Sequence, residues 1–365
     1  MLRRKPQLDA ALASRNVRRI VRAQLLIDGA PVPVPTRDGF VPIADGQVTA
    51  DRNMFVRRSV DCVVTDGSLR SLLRPFGAEL RVFMGARTAP GDYQEYCLGT
   101  FGIRETSRKF PGVGFTLTGQ DRGKKVMEES FLIPTSFDAG SVIGRMQKLL
   151  SSSPLSVLNV DPRVADSTTA SATLTGTRDQ ALADLMQALG AELYADTLGD
   201  FALQPIPDMY AAADYSLEAG TEGVLITDAP TESREGVFNV TAAFGTEKDT
   251  TTDAVPAAIA SDNDPTSPTW VGGPFGRVSD PRPITSSAIT SQAQAAVAAA
   301  ARLRDRVGLA QSVSWTSLVN PAYEPSDVVR FRHPDRTVSQ HVIDTLTFPL
   351  GPGAMSGQSR AVTVR

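Results

Sequence analysis

Short runs of alternating apolar and polar side chains fill residues 17–121, and this period of two constrains the fold more than any other feature. In 57–66, Val60, Cys62 and Val64 occupy every second position. Successive strand residues point to opposite faces of a sheet, so such a run predicts a strand with one buried face. Turns rich in glycine and proline separate six or seven of these runs. Residues 17–125 are therefore predicted to form a first domain, a small antiparallel β-barrel or sandwich.

The apolar period changes to helical spacing after residue 125. Residues 141–150 place apolar side chains three and four positions apart, which predicts an amphipathic helix. Residues 177–190 open with a capping-box sequence and end at Gly190, which predicts a second helix with a defined stop. A predicted strand-turn-strand hairpin follows. We therefore expect a small α/β domain over 126–206.

A second β-rich region follows, and an insertion divides it. Alternation in 207–245 and again in 312–365 predicts a second barrel built from both segments. The intervening 246–311 is low in hydrophobic residues and predicts an inserted domain with loops, a short strand near Trp270 and a helix over 290–306. The expected apolar stripe of this helix consists of Ala293, Ala296, Val297, Ala300 and Leu303.

The two β-rich regions also share an order of runs. An acidic residue opens an apolar strand, a loop leads to a long strand, and a turn leads to a closing strand. The compared segments are 79–83, 98–104 and 114–118 in the first region, and 327–331, 341–348 and 359–364 in the second. Their identity is weak, so a chance match between β-patterns is one explanation. The order and spacing favour an internal duplication of a β-barrel.

Length and charge limit the functional classes. The chain has 365 residues, room for two to four domains, and its net charge of -3 argues against a polyanion binder. The N-terminus lacks the apolar stretch of a signal peptide, and no segment approaches the ~20 apolar residues of a membrane span. We therefore expect a protein that stays in the cytoplasm where it is made, unless it leaves within a larger particle. Residues 1–16 predict a solvated basic arm, because no aromatic residues accompany the arginines.

The sequence contains two cysteines, Cys62 and Cys97, both in strand-like apolar contexts. This context favours buried, reduced thiols, although a disulfide between them stays open as an alternative.

Groups that could converge in a catalytic centre are scarce. The only histidines, His333 and His341, could face each other across a hairpin, but no cysteine or glutamate nearby completes a zinc set. We expect both at the surface or at an interface. The acidic run 261–265 lacks the glycine and distal glutamate of a calcium loop, so a solvated loop is expected there. No nucleophile elbow, P-loop or C-x-x-C occurs, so we predict a non-enzyme without catalytic, cofactor-binding or metal-ligating residues.

Eight sequence blocks follow one another from about residue 17 to the end: RRSVDCVVTDGS, GAELRVFMG, YCLGTFGIRETS, GFTLTGQDRGKKV, RDQALADLMQALGAELYAD, SREGVFNVTAAFG, DNDPTSPTWVGGPFGRV and NPAYEPSDVVRFRHPD. In this order they resemble tailed-phage minor tail proteins, a type common in phages of actinobacteria and similar to the baseplate or tail-tip hub. The resemblance implies a mainly β fold with α+β parts. It comprises two related β-barrel tube domains, a small α/β domain and an inserted loop-rich domain.

The resemblance also implies an assembly. A homotrimer of doubled barrels would form a pseudo-hexameric ring that caps the sixfold tail tube. Such a hub would belong to the virion tail tip, assemble in the host cytoplasm and open for the transient passage of DNA. Its implied partners are a distal tail protein or tail tube ring, a tape measure protein and other tail-tip or receptor-binding proteins.

An alternative function is a tail module that binds host cell-wall carbohydrate. In that case Trp270 and Phe275, in the loop 246–289, are the candidate sugar contacts. A wall hydrolase that uses His333 or His341 is a third and less favoured alternative. The split barrel repeat favours the hub, because a simple lectin does not need it.

Overall fold

The computed structural model describes residues 4–14, 17–89, 92–108, 114–151, 157–209, 211–220, 223–246, 255–307 and 311–363. Within these ranges the chain is mainly β, and its largest element is a 13-stranded sheet. None of the helices in the same ranges is both long and apolar enough to cross a bilayer. Parts of the segments used in the sequence predictions lie outside the described residues, among them residues 1–3 and 15–16 of the predicted arm and 109–113 between two predicted strands.

The structure confirms the strands predicted in residues 17–121. Alternation buries one face of each strand, as in Arg58–Val64, where Val60, Cys62 and Val64 are buried. The strands are β1 (Arg19–Ile27), β2 (Ala30–Val32), β3 (Ile43–Asp51), β4 (Arg58–Val64), β5 (Ala78–Ala89), β6 (Asp92–Arg108) and β7 (Phe115–Gln120).

The middle of the chain contains short strands and three of the helices. The α-helices described in the chain are α1 (Pro6–Ala13), α2 (Gly123–Glu128), α3 (Val142–Leu150), α4 (Arg178–Leu189) and α5 (Gln292–Val307). The short strands are β8 (Thr135–Phe137), β9 (Gly140–Ser141), β10 (Leu158–Val160), β11 (Thr168–Thr169), β12 (Ala172–Leu174), β13 (Ala191–Ala195) and β14 (Phe201–Pro205). Gly190 ends α4 in the left-handed conformation, with φ of 59°, as the sequence predicted.

Most of the remaining strands belong to the large sheet, and three others form a separate small sheet. They are β15 (Tyr215–Glu218), β16 (Leu225–Glu232), β17 (Val240–Phe244), β18 (Ala257–Ser261), β19 (Ile284–Thr285), β20 (Gln311–Ser317), β21 (Val328–Arg332), β22 (Val338–Pro349) and β23 (Met355–Thr363). Strand β17 pairs with β18 and β19 in a separate three-stranded sheet. The domain boundaries predicted above, including the one at residue 245, stay predictions.

The large sheet contains two halves with the same strand order. In the N-half the order is β1-β5-β6-β7-β4-β3, and in the C-half it is β15-β21-β22-β23-β20-β16. When the short β2, which extends the sheet beyond β1, is left out, both orders read 1-4-5-6-3-2 numbered along the chain within each half. One difference exists, since β1 is antiparallel to β5 whereas β15 is parallel to β21. The segments compared in the sequence analysis thus lie mainly on β5, β6 and β7 in the N-half and on β21, β22 and β23 in the C-half.

Neither half is a closed barrel of continuous ladders in the described residues. The outer strands of the N-half meet through one bridge, Ala23 to Val41, and those of the C-half through Ala219 to Leu225. The reason is visible on β3, whose remaining edge pairs with β22 over residues 47–51. Since each backbone group pairs once in a ladder, that edge is unavailable for closure on β1. The predicted mainly β fold is confirmed, but the two related β-barrel tube domains are not closed barrels in the described residues, because one continuous sheet joins them.

Two hydrophobic cores support this arrangement. The first runs through both halves and includes Phe101 and Phe115 from the N-half and Trp315 and Phe331 from the C-half. Trp315 and Phe331 pack edge to face with ring centroids 5.7 Å apart, a favoured aromatic geometry. The second core lies among α3, α4, α5, β13 and β14 and reaches Ala243 of β17.

The structure corrects three local expectations. Residues 6–13 form α1, whose Leu8 and Leu12 are buried, so the predicted solvated arm contains a packed helix. Trp270 lies in a turn, and the strands of the insertion are β18 and β19 instead. The apolar stripe predicted for the insertion helix is exposed at four of its five positions, and α5 instead buries Gln294, Ala295, Ala298, Ala299 and Ala301. Alanine occurs on both faces of α5, so its pattern did not distinguish them.

Charged substitution at Ile343 tests the shared core. Ile343 lies on β22 with 0% of its surface exposed. We expect Ile343→Lys to lower the free energy of unfolding by several kcal/mol, because a buried lysine lacks a partner there. Chemical denaturation measures the change. The matched control is Ile259→Lys, where 72% of the side chain is exposed; an equal loss in both variants would contradict the burial of Ile343.

Candidate functional site

The N-half, the C-half and the region that contains α3, α4, α5, β13 and β14 meet at a buried cluster of charges. We call the last of these the helical region. We name the cluster of charges the arginine cluster, and it consists of Arg52, Arg57, Glu192, Asp305, Asp344 and Arg360. Five separate segments contribute to it: the β3–β4 connection, β13, α5, β22 and β23. Three cations and three carboxylates balance within it, which suits a buried site.

Arg52 is the centre of this cluster, and 6% of its side chain is exposed. Its Nε donates to Glu192 Oε1 at 2.6 Å, and its Nη2 lies 3.1 Å from Asp305 Oδ1. Arg57 donates from Nη2 to the other oxygen of Glu192 at 2.8 Å. Burial raises the pKa of Glu192, but Arg52 and Arg57 outweigh it and hold the pKa below the ordinary value. Glu192 is therefore the shared anion of two arginines.

Arg360 connects β23 to the same centre. Its Nη2 lies 2.6 Å from Asp344 Oδ1, and its Nη1 donates to Asp305 Oδ1 at 2.9 Å. Burial, opposed by Arg360, leaves the pKa of Asp344 above its ordinary value, whereas Arg52 and Arg360 hold the pKa of Asp305 below it. The guanidinium groups thus bridge β22, β23, α5 and β13, and their fixed fork geometry sets the angles between these elements.

The turn between β13 and β14 is also docked on the N-half. Thr197 O accepts from Cys97 Sγ and from Thr100 Oγ1, both at 3.1 Å. Arg122 donates to Gly199 O at 3.1 Å and forms a buried ion pair with Glu79 at 2.8 Å. The helical region is therefore fixed to the N-half at a second place, away from the arginine cluster.

The two histidines face each other, as the sequence suggested, but in a buried network. His333 Nε2 and His341 Nε2 each lie 2.5 Å from Ser339 Oγ. His333 Nδ1 is bonded to Asp228 Oδ2, and His341 Nδ1 lies 2.9 Å from Ser359 Oγ. His341 is completely buried, which lowers its pKa to about 3 and keeps it neutral. The expectation of surface or interface histidines is wrong for His341.

The direction of each hydrogen bond in this network depends on the tautomer of the two rings. One assignment that satisfies the contacts has the Ser339 hydroxyl donating to His333 Nε2 and His341 Nε2–H donating to Ser339 Oγ. The order Asp228, His333, Ser339 matches that of a hydrolase triad. However, a neighbouring pocket of about 970 Å³ is lined by His333 and not by Ser339, whose oxygen is held between both rings. The arrangement suits a structural network that aligns β16, β21 and β22.

Trp270 and Phe275 lie in a loop that is packed on itself. The Arg234 guanidinium lies 4.6 Å from the centroid of the Phe275 ring and donates to Phe275 O at 2.8 Å. Asn239 braces the loop by donating to Thr269 O and Gly276 O, each at 2.7 Å. Both aromatic rings are half-buried. Sugar contact by these two residues stays a prediction.

Cys62 and Cys97 are free and buried, as the sequence favoured. Burial raises the pKa of each thiol to about 12, so both are neutral and unreactive near neutral pH. In the described residues no group of three or more histidine, cysteine, aspartate or glutamate side chains is placed to hold a metal ion.

These features describe a mainly β fold in which one long sheet is braced by buried ion pairs and hydrogen bonds. Its structure is similar to the prophage MuSo2 43 kDa tail protein from Shewanella oneidensis, with a TM-score of 0.61 and 14% identity over 93% of this chain and 98% of that one. It is likewise similar to the tail protein from Neisseria meningitidis, with a TM-score of 0.62 and 12% identity over 94% of this chain and 96% of that one.

A prophage tail protein from Listeria monocytogenes shares the fold more distantly, with a TM-score of 0.54 and 9% identity over 88% of this chain and 89% of that one. No protein-family description and no curated protein matches the sequence. The likeness therefore establishes the fold over nearly the full chain.

Removal of the shared anion tests the arginine cluster. We expect Glu192→Gln to destabilise the protein by about 3 kcal/mol or more, because Arg52 and Arg57 lose a buried partner. Chemical denaturation measures the loss. Glu128→Gln removes one partner of the exposed Arg104–Glu128 pair and should cost about 1 kcal/mol or less. Equal effects in the two variants would refute a special role for Glu192.

Proposed function

We propose that this chain is a structural hub protein of a phage tail tip or baseplate. Three copies form a pseudo-hexameric ring that caps the tail tube, anchors other tip proteins and opens for the passage of DNA. Its place is the virion, and its role is not enzymatic. The full-length likeness to prophage tail proteins supports the tail assignment.

The repeated strand order of the two halves is the observation that best supports the proposed pseudo-hexameric ring. A tail tube with sixfold symmetry needs six similar docking faces. Each chain has two halves whose six main strands follow the same order, and the halves join where β3, at the edge of the N-half, pairs with residues 345–349 of β22. Three chains would therefore offer six similar units. The reversed direction of β15 lies at one edge of the C-half and leaves the order of the other strands intact.

The fixed angle between the halves supports the same role. Arg52 and Arg360 hold β3, β22 and β23 in one geometry, and the first hydrophobic core continues across the joint. A ring closes only when each unit makes the same angle with the next. The partners proposed for this ring are a distal tail protein or tube ring, a tape measure protein and receptor-binding tip proteins. The actinobacterial host group also stays part of the proposal.

The mass and shape of the purified protein test the proposal. We expect light scattering to give three times the 38.9 kDa chain mass, and negative-stain images to show threefold rings. Because hub proteins can need a partner to assemble, the same measurements are made after addition of the tube protein of its phage. A monomer in both conditions that binds purified cell wall would instead favour the carbohydrate-binding module.

A further inference from the structure

One face of the long sheet carries no lysine or arginine. It belongs to seven neighbouring strands in the order β7-β4-β3-β22-β23-β20-β16. On these strands, apart from the edge strand β16, its residues alternate with buried ones, so their side chains point away from the first core. We name it the hydroxyl face, and it consists of every second residue, counted from the first, in 116–120, 59–63, 47–51, 345–349, 356–358, 312–316 and 227–231.

The hydroxyl face consists mainly of serine, threonine and glutamine. Its acidic residues are Asp51 and Asp61, and its apolar residues are Val63, Ala229 and Pro349. The chain contains 37 lysine and arginine residues, so the lack of any on a face of seven strands is a distinct feature of this surface.

Arginines are present at the margins of the face. Arg360 is the next residue of the same row on β23, but 3% of its side chain is exposed and it is held by Asp344. Arg104 and Arg108 lie on β6, one strand beyond the face, and Arg104 pairs with Glu128. Between these margins, hydroxyls and two carboxylates determine the electrostatic character of the surface.

The hydroxyl groups bond to one another across the strands. Thr49 Oγ1 and Ser59 Oγ lie 2.7 Å apart, and Thr227 Oγ1 and Thr316 Oγ1 lie 2.6 Å apart. Such cross-strand pairs support the sheet from within the chain. A shallow groove of about 350 Å³ runs over the C-half part of the face, which is therefore concave there.

This composition argues against two kinds of binding. Protein interfaces are enriched in aromatic residues, methionine and arginine at their centres, and the hydroxyl face has none of these. Binding of DNA depends on lysine and arginine that neutralise phosphates, and these are missing as well. The face suits contact with water and the passage of a polyanion that must not be held.

The width of the face agrees with a channel wall. Adjacent strands lie about 4.8 Å apart, so seven strands from each of three chains would enclose a circumference of about 100 Å, and a channel about 30 Å across between backbones. Tilt of the strands widens such a channel further. It would be wide enough for one DNA duplex. The ladder between β3 and β22 makes the face continuous across both halves.

We propose that the hydroxyl face lines the channel of the ring and forms a wall without cations, along which double-stranded DNA passes without being bound. This inference rests on the ring proposed above and identifies the surface that faces its axis.

Paired arginine substitutions test the charge of the wall. Thr118→Arg with Thr347→Arg should raise the affinity of the assembled ring for a short DNA duplex by about tenfold or more at low salt, and added salt should reverse the gain. The matched control, Thr175→Arg with Ile259→Arg, adds the same charge at exposed positions outside the long sheet and should bind like the wild type. Fluorescence anisotropy of a labelled duplex measures both. An equal gain in the two pairs, or tight binding by the wild-type ring, would overturn the proposal.

Cysteine labelling tests the orientation of the face without a change of charge, since the native thiols are buried. In intact rings, Thr347→Cys should react with a small maleimide but not with a maleimide coupled to a folded protein too wide for the channel. Thr175→Cys should react with both reagents. Reaction of Thr347→Cys with the bulky reagent would overturn the channel lining and leave the hub function standing. A wild-type chain that never forms rings, even with the tube protein, would overturn both proposals.

Discussion

The fixed relation between the two halves depends on the ladder between β3 and residues 345–349 of β22, and on the arginine cluster beside it. A β-ladder alone permits twist and slippage, because it sets register but not the angle of everything packed on it. Arg52 and Arg360 add directional contacts to α5, β13 and β22 at the same place. Because their carboxylate partners come from separate segments, a change in any one of these angles would leave a charge buried without a partner.

Such a cluster is a costly way to gain stability, since burying each charge carries a desolvation penalty. Its advantage is geometric. Apolar side chains of the first core can repack with small shifts, whereas a guanidinium held by two carboxylates has few alternative arrangements. The histidine–serine network within the C-half also consists of directional contacts with few alternative arrangements, because Ser339 Oγ is bonded to both His333 and His341. Both suit a protein whose use depends on a constant angle between repeated units.

The sequence predicted the strands well where burial alternates and poorly where it does not. The strands of 17–121 and the C-terminal hairpins followed from period two, and α4 followed from its apolar spacing and Gly190. The buried face of α5 could not be predicted, because alanine lies on both faces and gives no contrast. The alternation of side chains also could not predict whether each barrel closes. Closure depends on which strand pairs with the second edge of β3, and in the structure that strand is β22.

The arginine cluster could not be recognised from the sequence. Its members are separated by up to hundreds of residues, and each stands in a segment that reads as an ordinary charged surface. Only the fold brings Arg52, Glu192 and Arg360 together. The predicted pair His333 and His341 was easier to find, because a hairpin connects the two strands that carry them.

In the proposed hub, two like halves of one rigid chain substitute for two subunits of a sixfold tube. A cryo-electron microscopy map of intact tails tests it most directly. We predict three copies of this chain at the tube end, with the N-half and C-half alternating around the axis in equivalent positions. A map with this chain at the tail periphery, or with only one half facing the tube, would contradict the proposed ring.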